Sequence, residues 1–278
     1  MNSIPKKLHI VWVGPKKMPQ AVVDRISNFR CNNPEFEIKV WGNDAYEKMK
    51  ADGFISKYAE EAFKENKWAF VSDVIRLYAV FTEGGWYMDT DVHSIAPMSN
   101  LEPYTHGKGL VLGRCHEYFI ETGTFGAIPH HPVVGAWLEH FRTRPFIIDD
   151  KHSLIENNSI QGVMLAEEFG YHFGGNETFV SDEHDYVVLP IEAFNGLDLL
   201  EKPLTRMPYS VTDHRPECSW VSKTDRHSQR AAVDNFMWSK LGDDLYRLYQ
   251  TKELREYMER NVANYRLEKL DGHYRIWL

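Results

Sequence analysis

WAFVSDVIRLYAVFTEGGWYMDTDV, residues Trp68 to Val92, decides the fold. Phe70, Val71, Val74, Leu77, Tyr78 and Phe81 recur at three- and four-residue steps, which predicts a helix with one buried face. Gly84-Gly85 predicts a left-handed C-cap that ends it. Trp86, Tyr87 and Met88 have the bulk and β-propensity of a short core strand, and Asp89-Thr90-Asp91 follows at once. Both carboxylates therefore stand where a buried strand runs out. In open α/β sheets, ligands collect in the crevice outside those carboxyl ends. Two acidic side chains are not cheaply buried unpaired, so the arrangement points to a held cation. Asp73 and Arg76, three residues apart, share one side of the helix.

Working outward, Leu8 to Val13 (LHIVWV) is a continuous apolar run closed by Gly14-Pro15, as expected of a buried parallel strand. Pro19 to Arg30 reads as a helix, Glu37 to Trp41 (EIKVW) as a second strand, and Ala45 to Lys67 as a charged, solvated helical stretch. Gly109 to Gly113, Thr124 to Ile128 and Tyr186 to Pro190 are strand-like, and Val133 to Phe141 follows Pro132, a favoured helix start. From Val233 onward the pattern is helical and charged, through the segment ending RLEKL. Strands alternating with helices predict a three-layer α/β domain with a mainly parallel sheet. The expected division is a catalytic domain over residues 1–225 and a helical extension over 226–278 packed on it.

A formal charge of −8 and a pI near 5.9 argue against nucleic-acid binding, which usually leaves a basic footprint. Cys31, Cys115 and Cys218 are odd in number and far apart, which suits a reducing compartment. The apolar run after Lys6-Lys7 is too short for a signal peptide, and no stretch reaches the roughly 20 apolar residues of a membrane span. The expectation is a cytoplasmic enzyme; the C-terminal helices leave association with the inner face of a membrane open.

An Asp-x-Asp triplet arises by accident about once in a chain of this composition, so it is weak alone. The composite of SDVIR on a helix, GG, an aromatic strand and DTD is specific. It resembles the sugar-nucleotide transferases with a DXD sugar-binding region, most closely glycosyltransferase family 32, which includes capsular-polysaccharide transferases and an initiating mannosyltransferase. Ile4 to Gly14, Asn33 to Trp41, Gly123 to Val134 and Ser210 to Trp220 are similar to that family's opening strand, second strand, post-motif strand with its His-Pro helix start, and closing His…Ser-Trp segment. The middle segment Glu156 to Phe169 lacks the Thr-Gly-Pro that many members carry.

The resemblance implies a GT-A fold, a nucleotide-sugar donor with UDP favoured, a glycan acceptor and retention of configuration without an enzymic nucleophile. Departure of a nucleoside diphosphate calls for a cation on its oxygens, and carboxylates suit Mn²⁺ or Mg²⁺ better than Zn²⁺. Asp91 is then the direct ligand, with Asp89 contacting the metal through water or binding the ribose or sugar. By resemblance, Asp73 holds sugar hydroxyls and Arg76 reaches sugar or phosphate. His214 completes the metal shell or holds the diphosphate, and Ser219 and Trp220 contact the diphosphate; Glu217 is a rival ligand. Trp12 could stack on the base or fill the core. Asn158 and Gln161 are candidates for a residue beneath the sugar. His9 reads as a satisfied core histidine, His130 and His131 as loop residues, and Cys115-His116 lacks zinc spacing. Two other classes stay open. One is a DxD phosphohydrolase, disfavoured by a motif as late as residue 89 that continues Val92-His93-Ser94. The other is a non-catalytic nucleotide- or glycan-binding relative, disfavoured by the joint presence of Asp73, Arg76, Asp89 and Asp91.

Overall fold

The computed structural model describes residues 3–115, 120–148, 151–153, 157–173, 175–198, 202–215 and 240, together with the strand backbones of 266–270 and 273–277. β1 (Lys7–Val11), α1 (Gln20–Asn32) and β2 (Glu37–Trp41) open the chain. They are followed by α2 (Asp44–Ala51), α3 (Lys57–Lys64), α4 (Trp68–Glu83), β3 (Gly85–Met88) and β4 (Val92–Ser94). A 3₁₀ turn over Met98–Tyr104 leads to β5 (Leu110–Arg114), β6 (Ile120–Ala127) and α5 (Pro132–Thr143). The short pair β7 (Ile147–Ile148) and β8 (Lys151–His152) precedes α6 (Asn157–Glu168), β9 (Phe179–Ser181), β10 (Tyr186–Leu189) and β11 (Thr212–His214).

The central sheet has the order β2-β1-β3-β6-β5-β10-β9. β2, β1, β3, β5 and β10 run one way, while β6 and β9 oppose them. Alternation along the strands assigns the faces. Leu8, Ile10, Trp86, Met88, Val111, Val187 and Leu189 pack with Phe29 of α1 on one side. Tyr87, Leu110, Leu112, Phe125, Tyr186 and Val188 pack against α2 to α6 on the other. Both faces are covered, so the expected three-layer α/β architecture with a mostly parallel sheet is the observed one. Each strand of the parallel set ends at one edge, and β6 and β9 begin there, which brings residues from seven strands to that edge.

α4 is buried more completely than a one-faced helix: Phe70, Val71 and the whole run Val74 to Val80 are buried. It packs on β1, β3 and β6 while α2, α3 and α5 cover it, which explains why its sequence is apolar on nearly every side. The Gly84 cap differs from expectation. Its φ of 64° is left-handed but its ψ of −178° is extended, so the chain turns straight from helix into strand. A Cβ at Gly84 would lie 2.6 Å from Pro129 Cδ, which leaves room for no other residue.

Other expectations are corrected. Residues 45–67 form two helices with buried faces, through Ala45, Tyr46, Met49, Tyr58, Ala59 and Ala62, because apolar side chains recur every three or four residues beneath the charge. His131 is a buried helix cap whose Nδ1 accepts the Val133 N–H at 3.3 Å, not a loose loop residue. The described C-terminal residues form an antiparallel hairpin, β12 (Arg266–Leu270) with β13 (His273–Trp277), where RLEKL had read as helix. The physical reason is visible in the chain: Asp271-Gly272 is a two-residue hairpin sequence, and Tyr274 and Ile276 alternate with polar neighbours. The boundary at 225/226 lies outside the described residues. Among the described residues no helix is long and apolar enough to cross a membrane.

Candidate active site

Asp89 leaves the carboxyl end of β3, and its amide donates to Gly123 O of β6 at 2.7 Å. A turn over Thr90 and Asp91 follows, clamped from α1 by Arg25 Nη1 on the Thr90 carbonyl at 2.8 Å. β4 then pairs antiparallel with β11, Val92 opposite His214. The His214 amide also donates to Phe194 O at 3.0 Å. The outcome is that His214 joins Asp89 and Asp91 from far along the chain, and the three offer ligand atoms all within 4.8 Å of one another.

Behind this trio lies a buried chain of polar contacts. Arg76 Nη2 is 2.9 Å from Asp73 Oδ1 and 3.2 Å from Asp89 Oδ1, and Nη1 donates to Asp89 Oδ2 at 3.3 Å and Thr122 O at 3.0 Å. The guanidinium also lies 4.5 Å over the Tyr87 ring, while the Tyr87 hydroxyl donates to Asp89 Oδ1. Burial works against the Arg76 charge, but Asp89, Tyr87 and Asp73 outweigh it and the pKa moves up. The expected helix pair is thus buried and extended onto the DXD segment.

Two participants escaped the sequence reading. Glu121, in β6, is buried with its Oε1 accepting the Gly123 N–H at 2.6 Å. Both its oxygens lie 3.2 Å from His214 Nδ1, and His214 Nε2 lies 3.3 Å from Asp91 Oδ1. Burial alone would push His214 down, yet Glu121 and Asp91 raise it well above the ordinary histidine value. Burial likewise opposes Glu121's charge, and His214 with the Gly123 amide overcomes it, holding the carboxyl below its usual range. A lone acid inside the otherwise uncharged strand IETGTFGAI was the signal available.

The second is Asn157. Its Nδ2 donates to Asp73 Oδ1 at 3.3 Å, and its Oδ1 accepts from Trp137 Nε1 at 2.8 Å. Asn158, in the first turn of α6, accepts from the Ser159 amide at 2.9 Å. Gln161, one helical turn beyond Asn157, is buried with neither amide atom partnered.

Trp12 stands apart, past the end of β1, with its indole N–H on Lys16 O at 2.8 Å. His9 is a core residue: Nδ1 accepts from Trp41 Nε1 and Nε2 faces Gly84 O. His116, Glu217, Ser219 and Trp220 lie outside the described residues.

The donor set fits a divalent cation. Two carboxylates and one imidazole are ligands a divalent cation accepts. Around the site, the four carboxyl groups of Asp73, Asp89, Asp91 and Glu121 outnumber the basic side chains of Arg76 and His214. Space is kept by Gly123, where a Cβ would stand 2.7 Å from Glu121 Oε1, 2.8 Å from His214 Cε1 and 2.9 Å from Asp89 Oδ2.

Similarity to known proteins is partial. A toxin of Photorhabdus asymbiotica is 24% identical over 161 residues, 48% of this chain and 5% of that protein. Subversion of eukaryotic traffic protein A of Legionella pneumophila is 28% identical over 117 residues, 34% of this chain and 18% of that protein. The human alpha-1,4-N-acetylglucosaminyltransferase is 35% identical over 81 residues, 29% of this chain and 22% of that protein. The chain thus spans less than a quarter of each of these relatives. The solved PaToxG glycosyltransferase aligns with a TM-score of 0.41 at 19% identity, over 49% of this chain and 59% of that one. Residues 19–107, which hold Asp73, Arg76, Asp89 and Asp91, match the model of the family described as glycosyltransferase sugar-binding region containing DXD motif.

Proposed function

We propose that this protein is a cation-dependent glycosyltransferase of the family 32 type, moving a hexose or N-acetylhexosamine from a UDP-sugar to a hydroxyl of a surface glycan or lipid-linked oligosaccharide. The observation that carries this reading is the convergence of Asp89, Asp91 and His214 at the carboxyl edge of the sheet, directly in front of the Asp73–Arg76 pair. The match of residues 19–107 to a DXD sugar-binding region supports the sugar-transfer part. The donor base, the acceptor and retention of configuration rest on the sequence resemblance.

Asp91, Asp89 and His214 would hold Mn²⁺ or Mg²⁺, which supplies charge neutralisation for the departing diphosphate. Arg76 keeps Asp89 aimed at the site and adds a buried positive charge beside it. Asp73, held by Arg76 and Asn157, is the acceptor for donor-sugar hydroxyls. Trp12, Ser219 and Trp220 are assigned to the nucleotide and diphosphate. No side chain is assigned as a covalent nucleophile; the leaving diphosphate takes the proton of the attacking hydroxyl. Residues 1–225 form the catalytic unit.

The test is hydrolysis of a panel of UDP- and GDP-sugars by the purified chain, with Mn²⁺ or with EDTA. The expected result is release of the nucleoside diphosphate from a UDP-sugar that depends on the cation and falls about 10²–10³-fold in Asp91→Ala. Full activity of Asp91→Ala, or equal rates in EDTA, would refute it.

A further inference from the structure

Glu121 does something that neither its burial nor its strand explains. A carboxylate in a core strand is costly unless its lone pairs are filled, and Glu121 has three donors around it: the Gly123 amide, the Asn195 side chain and His214. It is outside the Asp89–Asp91–His214 group, and those same donors occupy its oxygens. From where it sits it can reach only the far nitrogen of the imidazole.

We infer that Glu121 is a positioning residue for the cation site, accepting the His214 Nδ1–H so that Nε2 faces the Asp91 side of the site and its lone pair serves a cation held there. This inference rests on the cation-site reading above. The geometry is directional: Nδ1 is 3.2 Å from both Glu121 oxygens on one side, and Nε2 is 3.3 Å from Asp91 Oδ1 on the other. A histidine ring has one nitrogen for a cation and one for a partner that fixes its tautomer and orientation. The backbone holds the pair in register. His214 is gripped by β4 and by Phe194 O, while Gly123 gives its N–H to Glu121 and its carbonyl to the Asp89 amide. One glycine therefore ties the positioning carboxylate to the first residue of the DXD segment. The absence of a side chain at Gly123 lets Glu121, His214 and Asp89 approach each other.

The experiment measures binding of Mn²⁺ alone to the full chain, by electron paramagnetic resonance of the unbound ion. It compares wild type with Glu121→Ala, Glu121→Gln and Asp91→Asn, and records unfolding of each in EDTA. Glu121→Ala is expected to weaken Mn²⁺ binding about 10–100-fold. Glu121→Gln, which keeps an acceptor, should recover most of that loss. A merely structural Glu121 would lower the unfolding midpoint in EDTA without changing the affinity of the folded protein, and that result overturns the inference. Wild-type protein that binds no Mn²⁺, or Asp91→Asn that binds it undiminished, overturns the cation site itself and the inference with it. Should Glu121→Ala not fold, ¹⁵N-histidine spectra of the wild type with Mg²⁺ give the answer: a protonated Nδ1 on His214 supports the inference, a protonated Nε2 ends it.

Discussion

Arg76 Nη2 lies 3.2 Å from Asp89 Oδ1, joining the middle of α4 to the residue that follows β3. The contact spans thirteen residues of sequence and is possible because Gly84 turns the chain straight from helix into strand, folding β3 back along α4. With Asp73 on the same guanidinium, the helix supplies both a charge and its anchor to the DXD segment.

Replacing Arg76 by Ala leaves Asp73 and Asp89 facing each other without a cation. Breaking a buried pair from one side costs about 3–5 kcal/mol, so the urea midpoint should fall sharply. Arg76→Lys keeps the charge but not the fork that serves two carboxylates, and should fall between the two. An Arg76→Ala protein as stable as wild type would show that the pair is not buried as described.

Asn157 and Asn158 are neighbours with opposite expectations. Asn157→Ala removes the donor to Asp73 and leaves Trp137 Nε1 unpaired; it should cost about 1–3 kcal/mol and raise the KM for the donor. Asn158→Ala removes a local bond to the Ser159 amide and should leave donor KM unchanged. Steady-state kinetics on both variants decide the matter.

Gly123→Ala places a methyl group against three site residues at 2.7 to 2.9 Å. Overpacking of this kind costs about 1–3 kcal/mol, and here the strain falls on His214 and Asp89. The expected signature is a larger loss of Mn²⁺-dependent stabilisation than of stability in EDTA, read by thermal unfolding with and without the ion.

Cation binding to the native state alone raises stability by mass action, about 2.7 kcal/mol at a free concentration one hundred times Kd. Titrating Mn²⁺ into wild type should raise the melting temperature and EDTA should reverse it, while Asp91→Asn should not respond. A response identical in Asp91→Asn would place the ion elsewhere.

His9 carries the pH prediction. Burial holds its pKa below 6.5 against the opposing pull of the Gly84 carbonyl. Folded His9 therefore takes up a proton less readily than unfolded His9. Its contribution is complete above about pH 6.5 and is lost as pH falls from there toward the folded value. His131 and His140, also lowered chiefly by burial, act with the same sign. Urea midpoints across pH 5 to 8 should decline on the acid side, and His9→Gln should flatten part of that slope.

How much was readable follows the length scale of each interaction. β2 was legible to the residue, and α4, the β3 strand and the acidic pair beyond it were legible because periodicity, glycine punctuation and strand length act within about twenty residues. The helicity of residues 45–67 was legible, but surface charge obscured the break into two helices and their buried faces, and a helical pattern that stopped short of Asp271-Gly272 obscured the β12–β13 hairpin.

The sequence by itself determined that a buried helix feeds a short strand ending in two carboxylates, since each step depends on near neighbours. Only the tertiary structure decided which residues surround them. Glu121 meets His214 across 93 positions and Asn157 meets Asp73 across 84. Such pairs arise where β6 enters the edge at which β3 leaves it, α6 packs on β6, and β11 pairs with β4. Those contacts are set by strand order and packing, which no local pattern of residues encodes.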